Sequence, residues 1–221
     1  GLSTRFIGAI IMTHGDDQGL ILPPRLAPHQ LVIVPIYKNE TEKGQVQESV
    51  EAVHAALSDA GIRVKVDRRE GLTPGFKFND WEMRGVPLRM EIGPKDVAKG
   101  SLVLARRDIP GRGGKSFVSQ EGVVQHVITA LEDIQQALLD RATSFRDANT
   151  HTPTDFAHFK EIVTDGFAKA PWCGSADCEA SIKDESKASS RCIPLEQPSD
   201  AGTCVYCGKL AKELVYYGRA Y

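Results

Sequence analysis

Apolar positions change their period several times along the chain, and the changes outline its elements. Arg5 to Met12 is an Ile-rich apolar run (Ile7, Ile10, Ile11) that predicts a buried strand beginning almost at the first residue. Gly15 and Asp16 signal a turn, Gly19 to Leu22 is a second short apolar run, and Pro23, Pro24 and Pro28 punctuate the chain. Residues 1–27 are therefore expected to be the severed edge of a larger sheet. From Gln30 the pattern becomes strand, helix, strand. Leu31 to Ile36 is nearly continuous, as a central strand requires, and Val46, Val50, Val53 and Leu57 recur at helical spacing. Gly61 stands where a helix C-terminal cap belongs, and Ile62, Val64 and Val66 alternate as a strand.

Val86 to Ile92 and Ser101 to Ala105 predict two more strands, and Val124, Val127, Ile128, Leu131, Ile134 and Leu138 a long amphipathic helix. The sum is an α/β (α+β) chain with a mixed sheet and helices packed on it. Asp147 to Pro153 suggests a boundary, followed by a short helix through Phe156, Phe159, Ile162 and Val163. Residues 180–200, rich in Ser, Lys, Asp and Pro, are expected to be a mobile excursion inside the last domain. The expected domains are 1–27, 28–150 and 151–221.

Composition changes the picture mainly by exclusion. A 41% apolar fraction suits a soluble globular protein, and no stretch reaches the roughly 18 apolar residues of a membrane helix. Without signal-peptide zones in the first residues, a cytoplasmic location with no membrane partner is expected. Against 27 basic residues stand 29 acidic ones, so any nucleic-acid contact must come from a local patch. Between Phe76 and Lys115, nine basic residues (Lys77, Arg84, Arg89, Lys95, Lys99, Arg106, Arg107, Arg112, Lys115) face five acidic ones (Asp80, Glu82, Glu91, Asp96, Asp108). That stretch is either such a patch or a solvated face of mixed charge.

All five cysteines follow position 172. Cys173 and Cys178 are four residues apart, Cys204 and Cys207 two, with about 25 residues between the pairs. Two short-spaced pairs suit a tetrahedral zinc, with Gly174 and Gly208 supplying tight turns after a cysteine in each knuckle. Four thiolates would leave no open position, so such a metal is structural. Buried apolar cysteines, or a redox dithiol at Cys204 and Cys207, are the alternatives. Cys192 is expected to be a packed thiol.

Three strings together resemble the archaeal and eukaryote-like branch of prolyl-tRNA synthetases, over nearly the whole chain and in the family's order. The first is Gly1-Leu2-Ser3-Thr4-Arg5 with Thr13 to Asp16 and Gly19 to Pro24, similar to motif 3 of class II synthetases. The second is Gly75 to Glu82, continuing through Gly85 to Arg89 and Gly93 to Asp96, similar to the family's anticodon-binding domain. The third is the cysteine set with Tyr217 to Tyr221. The opening string alone also fits threonyl-, histidyl- or glycyl-tRNA synthetases.

The resemblance implies the end of a class II catalytic domain with its antiparallel sheet (1–27), a five-stranded anticodon-binding domain (28–150) and a zinc-binding domain (151–221). It implies ATP-dependent attachment of proline to tRNA(Pro), with magnesium accompanying the ATP and structural zinc on Cys173, Cys178, Cys204 and Cys207. Arg5 is the candidate catalytic and ATP-binding residue, because a guanidinium can stack on adenine and donate to phosphate without losing its charge; Ser3 adds a hydroxyl. Phe78, Glu82 and Arg89 are the candidate anticodon readers, with Lys95 and Lys115 for further base or phosphate contacts. They supply a stacking ring, a carboxylate and a guanidinium for guanine. Glu82 with Arg89 as a surface ion pair, and Phe78 as core, are the alternatives. Tyr221 is expected to dock toward the active site. The resemblance places motifs 1 and 2 upstream, so these 221 residues alone are expected to be inactive without that catalytic portion; the complete enzyme is expected to be a homodimer. A free-standing tRNA-binding module without catalysis is the competing reading.

Overall fold

The first apolar run is not a strand. In the computed structural model, which describes residues 3–220, it winds into helix α1 (Arg5–His14). Phe6 and Ile10, and Ile7 and Ile11, stand four apart, a spacing that serves a helix as well as a run. With no neighbouring strand among the described residues to take its backbone hydrogen bonds, the segment satisfies them internally. No residue of α1 is buried; Phe6 is 55% and Met12 74% exposed. The expected sheet edge over 1–27 is thus replaced by a helix and an extended arm that carries an isolated bridge between Asp16 and Gly19.

The chain divides after Ala142 into two compact units. In the first, β1 (Leu31–Pro35), α2 (Glu40–Asp59) and β2 (Val64–Val66) form a βαβ sequence of elements with β1 and β2 parallel. Asn39 caps α2 by accepting the Glu42 N–H at 2.9 Å. At its other end the Ile62 N–H reaches the Leu57 carbonyl and the Gly61 N–H that of Ser58, a Schellman closure that needs the positive φ (79°) of Gly61. Next come α3 (Pro74–Met83), β3 (Leu88–Ile92), α4 (Pro94–Lys99), β4 (Ser101–Arg106), a 3-10 turn (Gly111–Gly114), β5 (Lys115–Ser119) and α5 (Val123–Ala148), whose span includes the division. The sheet order is β2-β1-β3-β4-β5, parallel through β3 and antiparallel from β3 to β5.

Alternation along the central strands sends residues to two different layers. Leu31, Ile33, Leu88, Met90, Ile92, Leu102 and Leu104 join the buried faces of α2 and α5 in one core. On the opposite face α3 lays Trp81 against Val32, Val34 and Val86, with Phe78 beside them. Further across that face, Lys115, Phe117 and Ser119 of β5 are exposed.

The second unit is a four-stranded sheet, β6-β7-β9-β8, formed by β6 (Thr150–His151), β7 (Phe167–Trp172), β8 (Ala188–Cys192) and β9 (Glu213–Arg219), with α6 (Phe156–Asp165) and α7 (Ala176–Ser186). The expected mobile excursion over 180–200 is largely regular: it holds the end of α7 and all of β8. Only Ile182 and Ser186 of α7 are buried and most of its other positions are polar or small, so the helix reads as a loop. Lys187 closes it at a left-handed φ of 62°, where glycine would have been the recognisable signal. Cys192 is exposed at the end of β8, not packed as expected, because its strand lies at the sheet edge. Among the described residues no helix is long and apolar enough to cross a membrane.

Candidate functional site

Helix α3 opens with Thr73, whose hydroxyl accepts the Phe76 N–H at 3.3 Å, and with Pro74 at its first position, where a missing N–H costs nothing. Phe78 and Glu82 stand four apart and so share one face of α3. Below them, Arg89 and Glu91 of β3 stand two apart and share a face of the sheet. These side chains meet. The Arg89 guanidinium donates from Nε and Nη2 to Glu91 Oε1 at 3.2 and 3.0 Å and from Nη1 to the Glu82 carboxylate, while its carbon lies 4.0 Å from the Phe78 ring centroid. Strand register carries Lys115 into the same row, since Arg89 faces Ala105 and Ala105 faces Lys115. Lys115 donates to both Glu91 oxygens at 2.8 and 3.0 Å and lies 5.5 Å from the Phe78 ring.

Phe78, Glu82, Arg89 and Lys115 line an open cleft of about 400 Å³ together with Arg106, Arg107 and the exposed Arg112. The Arg89 side chain is only 8% exposed and forms the floor; Glu82 is 32% exposed and can reach a ligand. Three of the five Arg89 N–H bonds are engaged by carboxylates, leaving two. Phe78 is half-buried over the guanidinium, so the ring is neither pure core nor free.

Arg107 anchors the wall of this cleft. Its Nη1 and Nη2 donate to Asp16 at 2.9 and 2.5 Å, and its Nε to the Glu82 carbonyl at 3.0 Å. The hydrogen bond from Arg107 holds the Asp16 carboxyl below its ordinary range. Beside it the arm pairs with the α3–β3 turn, the Leu20 N–H donating to the Met83 carbonyl at 3.0 Å and Leu22 to Gly85 at 3.1 Å. A Cβ on Gly19 would stand 2.5 Å from the Met83 backbone, and one on Gly85 2.5 Å from Leu20, and both positions have positive φ. Trp81 is core, its indole N–H donating to Asp67 at 2.8 Å. Burial would raise the Asp67 carboxyl, but hydrogen bonds from Arg69 and Trp81 outweigh it and hold it at about 2.

The other expected positions are separate. Lys95 is exposed on the first turn of α4 and does not line the cleft. Ser3 and Arg5 are exposed at the N-terminal end of α1, Arg5 as its first helical residue and not at a strand end. Tyr221 lies outside the described residues. Sequence reasoning missed Glu91, Asp16 and Arg107. The strand Leu-Arg-Met-Glu-Ile alternates charge with apolar side chains, and that alternation was the available signal for Glu91.

In the second unit Cys173 follows β7, Cys178 lies in the first turns of α7, and Cys204 and Cys207 flank a turn. Gly174 and Gly208 have φ of 81° and 67°, the left-handed turns expected after a cysteine. All four sulfurs lie within 4.8 Å of one another, and those of Cys173 and Cys207 are 3.8 Å apart. A tetrahedron with metal–sulfur bonds of about 2.3 Å has edges of roughly 3.8 Å, so the set fits a tetrahedral ion. Burial, then the neighbouring thiols, push Cys178 up to about 12, while the Lys209 N–H draws Cys207 down to about 7. Four thiolates this close repel, and a cation is what allows all of them to ionise together. These cysteines can therefore hold a metal ion.

Two family models match the chain: "Anticodon binding domain" over residues 30–138 and "Prolyl-tRNA synthetase, C-terminal" over residues 156–221. Along its whole length the chain is 53% identical to a proline–tRNA ligase of Roseiflexus castenholzii, covering 46% of that protein. It is 47% identical to the chloroplastic/mitochondrial proline–tRNA ligase of Arabidopsis thaliana, covering 41%, and 45% identical to proline–tRNA ligase 2 of Bacillus cereus, covering 45%. The chain thus spans about half the length of the relatives it matches. With a cleft built in one matched region and four clustered cysteines in the other, the chain belongs to the prolyl-tRNA synthetase family and carries its C-terminal portion.

Proposed function

We propose that this chain serves a cytoplasmic enzyme that attaches proline to tRNA(Pro) at the expense of ATP, and that it is the part that reads the anticodon. The observation that carries the reading is the Phe78–Arg89–Glu82 group that lines an open cleft. Proline codons require guanines at the second and third anticodon positions. A guanine presents a donor pair on its Watson–Crick edge, which a carboxylate accepts, and two acceptors on its major-groove edge, which a cation answers. The partly exposed Glu82 is suited to the first role. The remaining Arg89 N–H bonds, or Lys115, are suited to the second, and Phe78 supplies a ring for an unstacked base. Lys95, outside the cleft, is assigned to a neighbouring base or phosphate.

On the same reading, Ser3 and Arg5 contribute to the ATP site of the complete enzyme, where magnesium accompanies the phosphates. Their place at a helix N-terminus is favourable to anions. Residues 1–27 end the catalytic domain, 28–150 form the anticodon-binding domain and 151–221 the zinc-binding domain. Zinc is the ion for Cys173, Cys178, Cys204 and Cys207, and it serves structure only, since four protein ligands leave no site for a substrate. Tyr221 docks toward the active site, and the upstream catalytic portion provides the rest of that site and a homodimer interface.

The experiment is ATP–pyrophosphate exchange by the full-length enzyme with proline, threonine, histidine and glycine. Exchange with proline alone is expected. Exchange with another amino acid would replace the assignment, and no exchange with any would leave a tRNA-binding module.

A further inference from the structure

Phe117 is 77% exposed on β5 and takes no part in the core, which that strand reaches through Val118 on its other face. A lone exposed aromatic is ordinary. This one has a particular address. Register pairs Glu91 with Val103 and Val103 with Phe117, so Phe117 stands on the same face as the Arg89–Glu91–Lys115 row. It is two strands, about 10 Å, from Glu91 and one alternation, about 7 Å, along β5 from Lys115. Arg112, exposed where it lines the cleft, has no ion pair among the described residues. The open part of the face therefore combines a bare ring with cations, the pairing used for single-stranded nucleic acid.

We infer that Phe117 is a stacking platform for one further unpaired nucleobase of the bound RNA loop, with Arg112 placed for its phosphate. The inference rests on the decoding assignment and extends it. Stacked nucleotides advance about 3.4 Å each, so the roughly 10 Å between Phe117 and Glu91 corresponds to about three stacked nucleotides. A ring has no preference among bases, so this position contributes affinity and not identity.

The test is binding of tRNA(Pro) by the full-length enzyme carrying Phe117→Ala, Phe117→Tyr or Glu82→Gln, with a set of tRNAs bearing one abasic nucleotide at each loop position. Phe117→Ala is expected to weaken binding about tenfold without lowering Tm, Phe117→Tyr to restore it, and the loss to vanish at one abasic position. Wild-type affinity in Phe117→Ala, or a loss that persists on every abasic tRNA, overturns the inference. So does reduced aminoacylation at unchanged tRNA affinity, which would put Phe117 against protein. If Glu82→Gln loses guanine discrimination while Phe117→Ala changes nothing, only this inference fails; if neither variant matters, the decoding assignment fails with it.

Discussion

The two units solve the same problem with very different means. Unit one gathers nineteen buried apolar residues, from β1 to β4, two long helices and the connecting positions Ile21 and Ile62, into one contiguous core. Unit two gathers eight, three of them the alanines Ala168, Ala170 and Ala188. A small unit with so little apolar volume needs a staple, and the four sulfurs are at the spacing to provide one. The first unit can therefore carry buried charge in its sheet, as Arg89 and Glu91 do, because its core does not depend on that face.

On the proposed zinc assignment, the sharpest break in this contrast is removal of that ion. Structural zinc contributes on the order of 10 kcal/mol or more to small domains. Chelation, or Cys204→Ser, is expected to unfold residues 143–221 while unit one retains its amide protection, read by hydrogen exchange. Equal protection of both units with and without chelator would mean the cysteines do not staple the fold. The converse cut is Ile134→Ala, at a fully buried position of α5. It is expected to cost unit one about 2–5 kcal/mol in urea unfolding and to leave the metal content unchanged.

A smaller effect separates the units by pH. Asp67 titrates at about 2 when folded, against an ordinary value near 3.8. Its stabilisation is present above that ordinary value and lost as pH falls from about 4 toward 2. Asp67→Asn is expected to destabilise unit one by about 2 kcal/mol at neutral pH, with the gap to wild type narrowing below about pH 4. A gap independent of pH would contradict the ionised pairing with Arg69 and Trp81. The smallest difference is the selective one expected of Arg89→Ala in recognition. It is expected to weaken tRNA(Pro) selectively by roughly 1–3 kcal/mol in salt-matched filter binding. Equal losses for all tRNAs would reduce it to a backbone contact.

How much of this was legible differed between the units for physical reasons. In unit one, period alone located β1, α2, β2, β3, β4 and α5, because each buries a full face and so carries a full pattern. Helix α3 escaped, since only Lys77 and Trp81 of its ten residues are buried, although Thr73-Pro74 was a start signal. Helix α1 was misread because a short apolar run such as Ala9 to Met12 does not distinguish strand from helix, and no residue of the helix is buried. In unit two, the cysteine spacing announced the cluster, while α7 and β8 were hidden by polar exposed faces and a lysine where a glycine would mark the turn. Phe78, Glu82, Arg89 and Lys115, singled out through the resemblance, line one cleft. Glu91 was left unused although its alternation with Arg89 was readable, and the Arg107–Asp16 pair was invisible because its members lie 91 residues apart.

The most direct measurement is a double-mutant cycle between protein and RNA. Wild-type and Glu82→Gln full-length enzymes would be titrated with tRNA(Pro) and with a variant in which one anticodon guanine is replaced by adenine. Wild type should discriminate by about 1–3 kcal/mol and Glu82→Gln should lose most of that preference, giving a coupling energy of similar size. Undiminished discrimination in Glu82→Gln, at both guanine positions, would contradict the claim that this carboxylate reads the base.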